Sequence, residues 1–295
     1  MKAISLLALG ILAAAPAGAQ ERYDWNGALP VGATLRVASS TGNVTVTRAE
    51  GATARVRGEV RQASGGDAIR FEMVRDGQDV IICALRTGSG SCTPEGIRNE
   101  SYRGNRRARA DFTVELPAGV VIAAQSGNGD VSVNGATATV RASSGNGSVR
   151  VGAGAADVHA SSGNGSVRVD EARAAVRASS GNGRVDVATR TGLVNASSGN
   201  GDIRVSIASL PSGGGDMSFS SGNGSVTLIL PDDFGAELDA STGSGSIRSA
   251  FEVRTSGRIT SHRLRGMVGR GGGKLRISTG NGRIALERRG TTASR

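Results

Sequence analysis

From residue 122 onward, hydrophobic and polar positions alternate with period two on both sides of a glycine turn, and the pattern returns every 18 residues. The first glycine of "SSGNG" falls at Gly127, Gly145, Gly163, Gly181 and Gly199 at that spacing, then at Gly222, Gly243 and Gly280 after insertions. Four and six places after it stand Val131/Val133, Val149/Val151, Val167/Val169, Val185/Val187, Ile203/Val205 and Val226/Leu228. Five and three places before it stand Val140/Ala142, Val158/Ala160, Val176/Ala178, Val194/Ala196, Met217/Phe219, Leu238/Ala240 and Leu275/Ile277. Period two with β-branched residues in the apolar columns predicts strands with one buried face and excludes a helical repeat. A fixed period predicts coils, and equivalent strands of successive coils then stack in parallel about 4.8 Å apart. The expected fold is all-β: a parallel β-helix or β-solenoid with 18-residue coils and two close-packed sheets, right-handed by the crossover rule.

The corners carry the rest of the pattern. Gly-Asn-Gly is suited to a turn of positive φ, because glycine lacks a Cβ and asparagine tolerates the left-handed region. Asn128, Asn146, Asn164, Asn182, Asn200 and Asn223 are then expected to stack as an amide ladder beside their glycines. The serines before the glycine (Ser126, Ser144, Ser162, Ser180, Ser198, Ser221) are expected to form a hydroxyl ladder closing the end of the core. A nucleophile does not recur in a stack, and no base recurs beside these serines. The second corner uses small residues, as in "NGATAT" and "GAGAAD", so the tube is expected to be flat and filled. Stacking places Asp186 between Arg168 and Arg204, and Asp202 against Arg184, so the outer charges are expected to cancel in part.

The period is lost from residue 47 to 121, although strand-like runs persist. These are read as irregular early coils, with a separate small β domain as the alternative. Residues 1–19 read as an export signal: Lys2, an apolar run too short for an ordinary membrane span, and Ala17-Gly18-Ala19 as a cleavage site. The expected division is therefore 1–19 signal, 20–121 irregular coils with a disulfide loop and a basic loop, 122–287 regular repeats and 288–295 a basic tail. Cys83 and Cys92 flank a Gly/Ser-rich loop and are expected to bridge, the alternative being two unrelated buried thiols. Glycine makes up 46 of 295 residues and aromatics 3%, so the interior must be thin.

Formal net charge is +10. The unpaired excess is expected in the tail, which includes Arg276, Arg283, Arg288 and Arg289, and above all in the loop at Arg98, Arg103, Arg106, Arg107 and Arg109 and in the later segment at Arg263, Arg265, Arg270 and Lys274. These are the candidate contacts to polyanions. His159 and His262 have no ligand-like spacing to the cysteines, so no metal is expected, and no cofactor. Calcium-loaded solenoids carry an aspartate at every glycine turn, whereas the residue after the second glycine here is Asp130, Ser148, Ser166, Arg184, Asp202 and Ser225. Nucleic acid is disfavoured for want of interleaved aromatics. A polysaccharide-acting β-helix enzyme is the competing class, and Asp232-Asp233 is the acidic doublet it would draw on; strand capping or chain turning explains the doublet equally.

The pieces "DFTVELPAGVVIAAQSGNGDVSV", the serial "SSGNG" copies, "LPDDFGAELDASTGSGSI" and "GRGGGKLRISTGNGRIAL" resemble the bacterial putative-adhesin family of exported β-strand-repeat proteins of unknown function, over roughly residues 30–287. The resemblance implies a parallel β-helical fold and an exported location: periplasmic, cell-surface or secreted. The expected function is non-catalytic, with a solenoid face presented to anionic envelope or matrix polysaccharide or to surface proteins.

Overall fold

The computed structural model describes residues 22–62, 68–88, 90–98, 108–211, 214–255 and 260–290. Residues 1–19, read above as an export signal, lie outside the described residues. Each regular coil gives one strand to each of two facing sheets, of 13 and 12 strands. Strands preceding the glycine corner, such as Val140–Ser144 and Val158–Ser162, form the larger sheet, called here the alanine sheet after its inward Ala142, Ala160, Ala178 and Ala196. Strands following the corner, such as Val149–Val151 and Val167–Ala172, form the valine sheet.

Pairing follows the sequence columns. Val140, Val158, Val176 and Val194 are successive parallel partners, as are Val149, Val167, Val185 and Ile203. Every position assigned inward from the alternation is buried. One apolar cluster runs from Leu29 to Leu286, so the strands of 47–121 share the core of the repeats. Large rings gather at the two ends, where a thin core would otherwise be open. Tyr23, Phe71 and Phe112 pack in series at one end, and Phe234 meets Phe251 edge-on at the other.

The stacking order departs from chain order at both ends. The coil Thr34–Thr41/Val44–Arg48 lies between the Gly127 coil and a coil built from Asp79–Arg86 and Ala108–Leu116. Correspondingly, the Gly280 coil (Lys274–Asn281, Ile284–Arg288) is inserted between the Gly222 coil and the Gly243 coil, which precede it in the chain. Beyond these coils the pairing turns antiparallel: Thr53–Gln62 and Arg22–Ala28 extend the valine sheet, Ile69–Asp76 the alanine sheet. Arg263–Val268 and Val253–Thr255 close the alanine sheet at the far end. Short or charged edge strands of this kind blunt the open hydrogen-bonding edge of a solenoid.

Two corner expectations are corrected. First, neither Gly181 nor Gly183 has a φ in the left-handed region, and the one non-glycine with positive φ among the described residues is Glu171 (49°). The backbone ladder instead continues through the corner, with Gly181 N–H donating to Ser162 O at 3.0 Å and Asn182 N–H to Gly163 O at 3.1 Å. Stacked backbones leave no room for a side chain. A Cβ at Gly181 would meet Gly163 O, and one at Gly183 would meet Gly165 O, both closer than the 3.0 Å that real Cβ atoms keep. Second, the inward serines do not bond to one another. Ser162 Oγ donates to Gly147 O at 2.7 Å, Ser180 Oγ to Gly165 O at 2.8 Å and Ser198 Oγ to Gly183 O at 2.9 Å. The glycine carbonyl that turns inward at the corner has left the strand ladder, and the hydroxyl of the next coil satisfies it.

Candidate functional site

On the outer face of the alanine sheet an open groove of about 500 Å³ runs along the stack. Its position follows from the strand alternation: in "VRASS", Val, Ala and the second Ser point inward, so Arg and the first Ser point out. One outward column reads Arg36, Ala123, Arg141, His159, Arg177, Asn195 and Ser218 in successive coils. Beside it runs Gln125, Ser143, Ser161, Ser179, Ser197 and Ser220. The groove is thus a hydroxyl-lined trough with a cationic wall. No carboxylate is among its lining residues.

The charges of this face and of the opposite one are arranged differently. Among the described residues, Arg36, Arg141 and Arg177 have no carboxylate within 4.0 Å, although Arg36 lies in the field of Glu95. On the opposite face Asp170 takes Arg150 at 3.0 Å and Arg168 at 2.9 Å. Asp186 does stand between Arg168 and Arg204 in register, yet neither arginine closes on it: Arg168 reaches Asp170 along its own strand. Asp202 pairs with Arg184 at 3.5 Å.

His159 sits between Arg141 and Arg177. Burial, then the fields of Arg177 and Arg141, lower its pKa against a smaller opposing effect of Asp157. These effects favour the neutral imidazole over the imidazolium.

The sequence-derived candidates fall elsewhere. Arg98 pairs with Glu95 at 3.5 Å, Arg109 with Asp111 at 3.0 Å, and Arg263 and Arg265 with Asp239 at 3.9 and 2.8 Å. The bond from Arg265, then the fields of Arg265, Arg263 and Arg276, hold the Asp239 carboxyl below its ordinary range. Arg270 and Lys274 are exposed, with no carboxylate within 4.0 Å among the described residues. Arg103, Arg106 and Arg107 lie outside the described residues.

The asparagines form a continuous amide chain. Asn146 Nδ2 donates to Asn128 Oδ1 at 2.8 Å, Asn164 to Asn146 and Asn182 to Asn164 at 2.6 Å, Asn200 to Asn182 and Asn223 to Asn200 at 2.8 Å, and Asn281 to Asn223 at 2.7 Å. Cys83 and Cys92 are bridged, with Cα atoms 5.8 Å apart. The bridge holds the small hairpin Ser91–Thr93/Gly96–Arg98 over Ala38, Ile81 and Leu85 on the outer face, which walls one end of the groove. Asp232-Asp233 occupies a chain turn after Leu230: Phe234 N–H donates to Pro231 O at 3.1 Å, and Asp232 faces Arg288 at 3.9 Å. Among the described residues no group of three or more His, Cys, Asp or Glu is placed to hold a metal ion, and no helix is long and apolar enough to cross a membrane.

The groove itself was missed from sequence, although its signal was present. Arg141 and Arg177 share one column and the matching acidic column is absent from that face.

Comparison with known proteins gives one family. Residues 94–287 match the family described as Toastrack DUF4097. No curated protein matches the chain. Among solved structures, a "putative adhesin" from Bacteroides fragilis is 14% identical, with a TM-score of 0.48, over 90% of this chain and 97% of that one. A "putative cell adhesion protein" from Clostridium sporogenes is 12% identical, with a TM-score of 0.29, over 90% and 99%.

Proposed function

We propose that this chain, which belongs to the Toastrack DUF4097 family, is a non-catalytic exported protein of the envelope or cell surface that binds anionic polymers on the outer face of its alanine sheet. The observation that carries the reading is the groove in which Arg36, Arg141 and Arg177 have no carboxylate within 4.0 Å among the described residues, beside a column that runs from Gln125 through the serines to Ser220. Cations released from pairing attract polyanions, and hydroxyls supply neutral donors and acceptors to the rest of the ligand. The groove lining holds no carboxylate to serve as general acid or base and no aromatic platform for a neutral sugar ring. Export is supported by the leader-like residues 1–19 and by the Cys83–Cys92 bridge, since such bonds persist in oxidising compartments. Arg270, Lys274 and the basic loop with Arg103, Arg106 and Arg107 would add long-range attraction.

The test is retention of the mature chain on immobilised alginate under a NaCl gradient. The double variant Arg141→Ser/Arg177→Ser should elute at clearly lower salt, and a variant with Arg103, Arg106, Arg107 and Arg109 changed to Ser should shift less. Elution of the wild type and the groove variant at the same salt, or no retention of the wild type, overturns the reading.

A further inference from the structure

The cationic wall of the groove is not uniform. Arg36, Arg141 and Arg177 occupy alternate coils, and the coils between them present Ala123 and His159 at the same position. Ala123 is 1% exposed, so the gap it leaves is covered by its neighbours and offers no polar group. Successive coils are about 4.8 Å apart, which sets the charge repeat at about 10 Å along the stack. The serine column, in contrast, repeats in every coil from Ser143 to Ser220. One row therefore has the period of a coil and the other has twice that period.

Resting on the polyanion reading above, we infer that the groove is matched to a linear polysaccharide lying along the solenoid axis with one carboxylate on every second sugar. A pyranose in an extended chain advances by about one strand spacing, so each coil faces one sugar. Ser143, Ser161 and Ser179 meet the sugars of their coils and Gln125 the one before, while Arg36, Arg141 and Arg177 meet the charged one of each pair. Past Ser218 the column becomes Arg276, Asp239 and Arg265, where a carboxylate enters the column and ends its carboxylate-free run. The disulfide hairpin ends it on the other side. A chain with a carboxylate on every sugar brings twice the charge but finds no arginine for the intervening carboxylates, where Ala123 and His159 stand.

The experiment compares two carboxylated probes of different charge spacing: hyaluronan, with one carboxylate per disaccharide, and polygalacturonate, with one per sugar. Affinities of the mature chain are measured by titration across a salt series at pH 7.5, with thermal melts to confirm that each variant is folded. Arg141→Ser and Arg177→Ser should each weaken hyaluronan roughly tenfold, the loss expected of one charge contact. His159→Arg fills the gap. It should strengthen polygalacturonate several-fold and steepen its salt dependence by one contact while leaving hyaluronan within about twofold. If His159→Arg strengthens both probes equally while Arg141→Ser and Arg177→Ser weaken both, the spacing inference fails and the polyanion face stands. If neither probe binds, both fall.

Discussion

A Cβ placed on Gly183 would fall on the carbonyl oxygen of Gly165, the equivalent residue one coil below. The glycine is required by the closeness of stacked backbones and not by a special φ. Gly183→Ala should therefore separate two coils locally and destabilise by more than about 1 kcal/mol. Ser148→Ala, on an exposed corner with one hydroxyl contact to Ser166 at 3.2 Å, should stay within about 0.5 kcal/mol. Urea midpoints of the two variants decide the matter, and equal shifts would mean that the corner does not stack tightly.

The inward and outward serines of one strand should behave differently although they are adjacent. Ser180 is buried and donates to Gly165 O, whereas Ser179 lines the groove. Removing the first hydroxyl leaves an inward carbonyl without its side-chain donor, at a cost of about 1–3 kcal/mol for Ser180→Ala. Ser179→Ala should leave stability unchanged within about 0.5 kcal/mol and lower affinity for the anionic polymer. The pair is checked by denaturation and by elution salt in parallel.

On the valine sheet, Asp170 holds two arginines and Asp186 holds none within 4.0 Å among the described residues. Asp170→Asn should lose up to about 1 kcal/mol, most at low ionic strength, and Asp186→Asn should lose less. Melting temperatures at two salt concentrations separate them. A larger loss at Asp186 would place Arg168 and Arg204 on it in solution.

His159 gives the groove a pH dependence. Its folded pKa lies below the ordinary 6.5, because burial and the flanking Arg177 and Arg141 disfavour the imidazolium more than Asp157 favours it. Above the unfolded value both states are neutral and nothing is lost. As pH falls below about 6.5 the unfolded chain takes the proton first, so stability declines until the folded pKa is passed. His159→Asn should remove that part of the acid-side decline in melting temperature, and a superimposable pH profile would count against it.

Cys92→Ser should release the Ser91–Thr93/Gly96–Arg98 hairpin from the outer face. The bridge closes a short loop, worth about 2–3 kcal/mol in the chain-entropy view. The hairpin covers only the small outer cluster of Ala38, Ile81, Cys83 and Leu85, so the main core should persist. Amide exchange should quicken in residues 91–98 and stay slow at Val176 and Val194.

Much of this architecture is legible in the letters because side chains alternate strictly along a strand, and a fixed 18-residue period makes the alternation stack. Val158 and Ala160 could be assigned inward without coordinates, and the asparagine column could be picked out as one line. The order of coils could not. Gly280 stacks on Gly222, 58 residues earlier, while Gly243 lies outside it, because the intervening chain forms an antiparallel cap whose pairing depends on non-local edges. The charges were misjudged for a related reason. An arginine's reach lets Arg168 choose Asp170 on its own strand over Asp186 across the ladder, and Arg98, Arg109, Arg263 and Arg265 likewise find nearby acids. The sparse column of Arg36, Arg141 and Arg177, with no carboxylate within 4.0 Å among the described residues, is not singled out by a count of basic residues.

The insertion of residues 274–288 between the Gly222 and Gly243 coils bears on how the chain is made. A polypeptide emerging from its amino end stacks the regular coils as they appear. The Gly243 strands then arrive with no settled neighbour, because the slot beside the Gly222 coil belongs to a segment still unsynthesised. Until that segment arrives, the Gly222 edge is an open template for any other strand. A chain interrupted before residue 274 would carry two such edges facing a vacant slot, one way to mark it for proteolysis or for chaperone retention. Closure of the stack therefore waits for residues 274–288, an order of assembly written into strand order.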